Sequence, residues 1–206
     1  MNILLIGPQG SGKGTQARLL TQKLGYYYFE SGEFLRKIAE NNEDLRKSLA
    51  EGNLVPDKEM TSYLTAFLDE RNLYDGIIFD GFPRTPDQYA FLKNWLTDKK
   101  VKLDLVILLT ISEEETLRRL GARREDPKTG QIYNLITSQP PPGIDRESLI
   151  QREDDKPEAI KKRLSLYRER TEPLITVLKQ DTKVIEINGE QPVEIIAKEI
   201  DGEISK

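Results

Sequence analysis

The chain has 206 residues, 32% charged and 37% hydrophobic, with 31 Lys and Arg against 35 Asp and Glu for a net charge of −4. It contains no cysteine and no histidine. That excludes disulfides, Cys-based zinc sites, Ser–His–Asp triads and any imidazole chemistry. The acidic balance disfavours a nucleic-acid binder, no apolar run approaches the ~20 residues of a membrane span, and the opening MNILLIGPQG lacks the basic start of a secretory leader.

The first element is a buried strand, Ile3 to Ile6, ended by Gly7-Pro8. After a glycine-rich turn, Ala17, Leu20 and Leu24 fall at helical spacing, with Gly25 as a stop. Tyr26 to Phe29 reads as a second strand. Phe34 to Leu49 reads as two short helices broken at Asn41-Asn42. Pro56-Asp57 opens a helix with Met60, Tyr63, Leu64, Phe67 and Leu68 on one face. Gly76 to Asp80 is a third strand, and Thr85-Pro86 starts a helix that turns Tyr89, Leu92 and Leu96 inward. Leu103 to Thr110 is a fourth strand. Ser112 and Glu115 then form a capping box before a helix carrying Leu117 and Leu120. Val184 to Ile187 is a fifth strand, and Gln191-Pro192 leads into the last helix. Strands alternating with helices, and apolar runs that are continuous rather than alternating, predict an α/β fold with a parallel sheet covered on both faces.

Residues 125–150 carry no period of useful length and are expected to be a long loop. Basic residues flank it, Arg118, Arg119, Arg123 and Arg124 before and Arg152 after. A solvated surface loop and a mobile cover over an anion are both open readings. Asp155 is expected to cap the helix that starts near Pro157. Trp95 and the Tyr26–Phe29 run are expected in the core.

Gly7-Pro-Gln-Gly10-Ser11-Gly12-Lys13-Gly14-Thr15 follows a buried strand and opens a helix. That context makes it a phosphate-cradling loop, whose glycines let backbone N–H groups face a phosphate while Lys13 reaches the outer phosphates. Gly14 stands where a magnesium-binding hydroxyl is expected, with Thr15 one position later. Asp80 ends a strand and is followed by Gly81-Phe82-Pro83-Arg84; a carboxylate there suits magnesium, and a turn-forming Asp is the plainer alternative. Arg119 and Arg123 are spaced i,i+4 for one helix face, with Arg152 and Arg163 beyond the loop. Arginine, rather than lysine, suits bidentate phosphate contact.

These motifs together resemble the adenylate kinase family in its long-lid form. The likeness runs through Gly7–Gln16, Ser31–Arg36, Leu54–Asp57, Asp80–Arg84 with Gln88, Gly121–Arg124, Thr129–Tyr133, Arg152–Asp155 and Arg163, in order and over essentially the whole chain. The resemblance implies a P-loop NTPase three-layer sandwich with a five-stranded parallel sheet. It implies a core of 1–29, 56–121 and 156–206, an AMP-binding insert at 30–55 and a lid at 122–155, both mobile. It implies an ATP site at Gly10, Ser11, Gly12, Lys13, Gly14, Thr15, Arg119, Arg123, Ile132, Tyr133 and Gln191. It implies an AMP site at Ser31, Arg36, Asn53, Leu54, Val55, Gly81, Phe82, Pro83, Arg84 and Gln88, with Arg152 and Arg163 spanning the phosphates.

Lys13, Arg84, Arg119, Arg123, Arg152 and Arg163 are the expected catalytic set, with Asp80 on magnesium through water. The implied activity is MgATP + AMP ⇌ 2 ADP in a cytoplasmic monomer that maintains the adenine nucleotide pool. Its partners are ATP, AMP and ADP, with neither nucleic acid nor membrane. A UMP/CMP or other nucleoside monophosphate kinase, and a non-catalytic nucleotide-binding module, are the alternatives. Gln9, Ser31, Asn53, Asn134 and Gln191 depart from the family's commoner residues. Without cysteines a lid zinc is not expected; Asp126, Thr129 and Asp145 are candidates for a hydrogen-bonded replacement.

Overall fold

A computed structural model describes residues 1–205. Five strands, β1 (Asn2–Ile6), β2 (Tyr27–Glu30), β3 (Ile77–Asp80), β4 (Leu103–Thr110) and β7 (Lys183–Asn188), form one sheet in the order β2-β3-β1-β4-β7. Every pairing is parallel. The register sets Leu5 beside Asp80 and Asp80 beside Glu30, so three neighbouring strands end at one level. Ligands of open α/β sheets bind outside such carboxyl ends.

Both faces are covered, which is why β1, β3 and most of β4 read as unbroken apolar runs. On one face Leu4, Phe29, Phe79, Phe82 and Leu108 pack against α2 (Ser31–Ala39), α4 (Asp57–Glu70), α5 (Pro86–Asp98) and α8 (Glu172–Asp181). Ile3, Leu5, Ile107 and Leu109 pack on the other against α1 (Lys13–Leu24) and α9 (Val193–Ile204). The expected break between two short helices is present: α2 ends at Ala39 and α3 (Glu43–Ala50) begins after Asn42, whose side chain accepts from Leu45 N. Trp95 and Phe29 are buried as expected, whereas Tyr27 of the same run is exposed.

Five readings of the sequence change. The stretch expected as a loop holds an antiparallel hairpin, β5 (Arg123–Glu125) with β6 (Ile132–Asn134), and a 3-10 turn at Arg146–Ser148. Three-residue strands are too short to show a period, and β5 is wholly charged. Arg123 therefore follows α6 (Glu113–Gly121) instead of sharing a helix face with Arg119. The capping box is half made: Ser112 Oγ accepts from Glu115 N, but the Glu115 carboxylate pairs with Arg118 and Arg119, and Glu190 takes the Ser112 N–H. Leu117 is exposed, so Thr116 and Leu120 form the inner face of α6. Asp155 does not cap α7 (Pro157–Leu166); the residue at the cap is Lys156, and Asp155 is fully buried in a 3-10 turn.

The hairpin turn is tied by Asp126, which accepts from Lys128 N and Thr129 Oγ1 at 2.8 Å each. Asp145 is not part of this turn; it caps the Arg146–Ser148 segment. No helix among the described residues is long and apolar enough to cross a membrane.

Asn2 locks the amino end of the central strand, opposite the loop that leaves β1. Fully buried, it donates to Tyr74 O and Lys102 O and accepts from Ile77 N. Asn2→Ala leaves three backbone groups unpaired and is expected to cost about 2–3 kcal/mol. At ~2–4 °C per kcal/mol for a chain of this size, thermal unfolding should fall by about 5–10 °C. Unchanged melting would show that water replaces these bonds.

Candidate active site

The loop after β1 turns sharply into α1. Gly12 stands at the helix N-cap with φ 96°, a left-handed conformation that a side chain resists, and Ser11 N donates to Pro8 O. The first turn of α1 thus points its free N–H groups into a cavity of about 760 Å³. Gly10, Ser11, Gly12, Lys13, Gly14 and Thr15 line it, with Asp80, Arg119, Arg123, Ile132, Tyr133 and Gln191. A second cavity of about 600 Å³ adjoins it, lined by Asn53, Leu54, Val55 and Gln88 and walled by Leu35, Leu49 and Met60. Ser31, Arg36, Gly81, Arg84, Arg152 and Arg163 face both. Pro83 lines the first cavity only. Phe82 lines neither; it is fully buried in the apolar core, so it supports this wall from behind.

Lys13 Nζ donates to Gly7 O and Pro8 O, each at 2.9 Å. Burial pushes its ammonium down to about 8, against the opposing pull of Asp80 and helped by Arg84 and Arg163. Burial also raises Asp80, an effect that the Lys13 charge offsets and the Glu30 charge reinforces. Tyr28 donates its hydroxyl to Asp80 Oδ2 at 3.0 Å. Burial, Asp80 and Glu30 all push the Tyr28 hydroxyl up, so it stays a neutral donor.

The arginines arrive with partners. Arg123 makes a bidentate pair with Asp155 at 2.7 and 2.5 Å. Arg163 holds Asp154 at 2.8 Å, Arg119 holds Glu115 at 2.6 Å, and Arg152 pairs with Glu125. Arg36 reaches Glu30 at 3.3 Å. Arg84 Nε donates to Gly81 O at 2.6 Å. Burial lowers Arg163 to about 10 despite Asp154, because Arg123 and Arg84 crowd it. Asp154 is lowered overall: burial opposes its charge, and Arg163, Arg123 and Arg152 outweigh that. Ser11 Oγ, Ser31 Oγ and Gln9 Oε1 are buried without partners, three polar atoms left for a polar ligand.

Gln88 is fixed by the fold. Its Oε1 accepts from Arg84 N at 2.7 Å and its Nε2 donates to Asp57 Oδ1 at 2.8 Å, while Asp57 Oδ2 takes the Thr85 hydroxyl. These partners assign the amide orientation. One N–H and one lone pair remain for a ligand in the second cavity. Gln191 and Asn53 bond to neighbouring residues, Glu199 and Glu51 respectively. Asn134, in the hairpin, donates to Arg119 O at 2.8 Å. The pairing of Glu125 with Arg152 and of Asp155 with Arg123, and the parts played by Tyr28 and Asp57, had no local signal and show only in long-range contacts. Glu115, by contrast, lies four residues before Arg119 on α6, a spacing that could have revealed the pair.

A glycine-rich loop at the end of the central strand, opening a helix under a cluster of half-buried guanidinium groups, defines a P-loop protein of the phosphoryl-transferring class. A family model described as adenylate kinase matches residues 5–183. Adenylate kinases from Petrotoga mobilis, Pyrococcus furiosus and Acholeplasma laidlawii are similar to it, at 37%, 39% and 36% identity. The alignments cover 97%, 92% and 96% of this chain and 95%, 89% and 95% of those proteins. The chain belongs to the adenylate kinase family, a family of phosphotransferases.

Gly81 (φ 78°) is where the two cavities touch. A Cβ there would lie 2.4 Å from Ser31 Oγ and 2.9 Å from Arg84 Nη2. Gly81→Ala must therefore push Ser31 and Arg84 apart. Misplacement on the scale of 1 Å can cost ~10²-fold in rate. A fall in kcat/KM of that order is the expected result in steady-state assays, with thermal unfolding also lowered because alanine is strained at this positive φ; native kinetics would mean that the junction is not where reaction occurs.

Proposed function

We propose that the protein catalyses MgATP + AMP ⇌ 2 ADP. What supports this most is the junction itself: a P-loop cavity and an apolar-walled cavity that share Arg36, Arg84, Arg152 and Arg163. Two nucleotides seated there would meet phosphate to phosphate.

The donor triphosphate would lie against Gly10–Thr15, with Lys13 leaving the Gly7 and Pro8 carbonyls for the phosphates. Arg119, Arg123, Ile132, Tyr133 and Gln191 would complete that site. The acceptor would use Ser31, Arg36, the Asn53–Val55 backbone, Gly81, Pro83, Arg84 and Gln88. The free N–H and lone pair of Gln88 match the adjacent acceptor and donor of an adenine edge. Arg152 and Arg163 would contact both phosphate chains.

An acceptor phosphate oxygen would attack the γ-phosphorus, and the bond to the β–γ bridging oxygen would break, leaving ADP on each side. That oxygen is already anionic, so no general base is needed. The missing histidine and cysteine are no obstacle. The arginines would meet charge as it moves between the two chains.

Asp80 is a single buried carboxylate on the wall of the P-loop cavity, with no His or Cys nearby. Such a donor set suits magnesium, which keeps most of its waters and takes few protein ligands. Asp80 would hold it through water, and the ion would neutralise phosphate charge.

We further propose that 30–55 and 122–155 are mobile and close over the nucleotides. In support, Arg123, Tyr133 and Arg152 of the second segment, and Ser31 and Arg36 of the first, line the same cavity as the P-loop. Closure would exclude water, a competing acceptor. A cytoplasmic monomer serving the nucleotide pool completes this reading, with neither nucleic acid nor membrane as partner.

Two measurements test it. Lys13→Met should lower turnover by orders of magnitude with the fold intact by circular dichroism. In the native enzyme, kcat/KM for ATP should fall as pH rises through about 8, because the protonated ammonium binds phosphate and deprotonation removes the charge. A profile flat from pH 7 to 10 would show that the ammonium stays protonated throughout; near-native turnover of Lys13→Met would remove Lys13 from this role. In a panel of monophosphate acceptors, AMP should lead. Replacing Gln88 by Leu should narrow the margin over CMP and UMP; an unchanged margin would place base selection elsewhere.

A further inference from the structure

Glu30 is placed where a carboxylate needs a reason. It ends β2 and occupies the N-cap of α2, with φ −101° and ψ 107°, yet its side chain does not cap the helix. A carboxylate at that position would ordinarily turn to the free N–H groups of the first turn. Instead Oε1 accepts from Arg36 Nη2 at 3.3 Å, and Oε2 lies 3.2 Å from the Tyr28 hydroxyl. Its strand register partner is Asp80, a second carboxylate, and the Tyr28 hydroxyl lies between the two. Glu30 also lines the P-loop cavity, beside Lys13, Arg36 and Arg84, whose charges suit an anion. A negative charge in an anion site, next to another negative charge, opposes both ligand binding and its neighbour's ionisation.

We infer that Glu30 is a built-in competitor: in the empty site its carboxylate occupies Arg36 in place of the acceptor's phosphate, and so sets acceptor affinity. The inference rests on the reading of Arg36 as a contact of the acceptor phosphate. A phosphate monoester dianion offers a guanidinium more charge and more oxygens than a carboxylate does, so it displaces Glu30. The displaced carboxylate shares the one Tyr28 proton with Asp80 and is otherwise left to the water of the cavity it lines. A nucleoside without phosphate has nothing to exchange for that contact. Glu30 therefore weakens the binding of every phosphorylated acceptor and leaves the uncharged nucleoside unaffected. It also prevents the acceptor site from holding its product too tightly, a condition for turnover when binding energy is not spent on the ground state.

Glu30→Gln keeps the size and removes the charge. Equilibrium titration with AMP should show binding about three- to tenfold tighter than native, with KM for AMP falling alike and affinity for adenosine unchanged. Arg36→Ala serves as the reference and should weaken AMP binding. If Glu30→Gln leaves AMP affinity unchanged or weaker while Arg36→Ala weakens it, the competitor role is wrong and the acceptor site stands. If AMP and adenosine affinities shift together in Glu30→Gln, the residue only shapes the pocket, and the competitor role is again wrong. If Arg36→Ala leaves AMP binding intact, the acceptor-site reading itself fails.

Discussion

Mutual repulsion among half-buried arginines is the constraint around which this molecule is arranged. Arg36, Arg84, Arg119, Arg123, Arg152 and Arg163 converge on two joined cavities. Two such charges ~8 Å apart repel by about 2 kcal/mol at an effective dielectric near 20, and each further charge adds to the sum. The fold answers with carboxylates: Glu30, Glu115, Glu125, Asp154 and Asp155 each hold one of them, and the Gly81 carbonyl takes Arg84. Asp155 shows how far this goes. It is fully buried, beyond reach of water, because Arg123 binds both of its oxygens. Removing one member of such a pair leaves the other buried and uncompensated, which is worse than never having either.

The same pairing prepares the site for phosphate. A guanidinium held by a carboxylate keeps donors to spare, since five N–H groups exceed what one carboxylate can take. The side chain is already oriented, so a ligand need not meet the entropy of ordering it. Lys13 is treated likewise on a smaller scale. Two loop carbonyls hold its ammonium, neutral acceptors that a charged phosphate outcompetes. The cavity is therefore electrostatically satisfied when empty but favours stronger anions. Transfer then needs geometry and positive charge, both of which this scaffold supplies without a histidine or cysteine.

How much of this was legible in the sequence follows from the range of each interaction. The strands and their parallel order were readable because β1, β3 and β4 are buried on both faces and carry that burial as apolar runs. The glycine loop was readable because its constraint is local: a strand end, a left-handed turn and a helix start within ten residues. The hairpin β5–β6 was not, since its strands are three residues each and its order comes from Asp126 in the turn and Asn134 reaching back to Arg119 O. Arg123 and Arg152 were singled out by type, but their partners lie 32 and 27 residues away, a separation at which no spacing rule operates. Asp155 was misjudged for the same reason. A carboxylate just before Pro157 looks like a helix cap, and only tertiary structure shows that Arg123 has claimed it.

On the proposed reading, Gln88 makes fold and specificity one problem. An amide that selects a base must present its donor and acceptor in a fixed sense, yet a free carboxamide can flip with little penalty. Here Arg84 N demands an oxygen and Asp57 demands an NH2 group, so only one orientation satisfies both. Asp57 can make that demand because Thr85, the cap of α5, occupies its other oxygen. The start of α4, the cap of α5 and the loop after β3 therefore fix a single side chain between them. A substitution at Asp57 or Thr85 acts on the second cavity without touching what it holds, because the orientation of Gln88 is set by the joint between two helices.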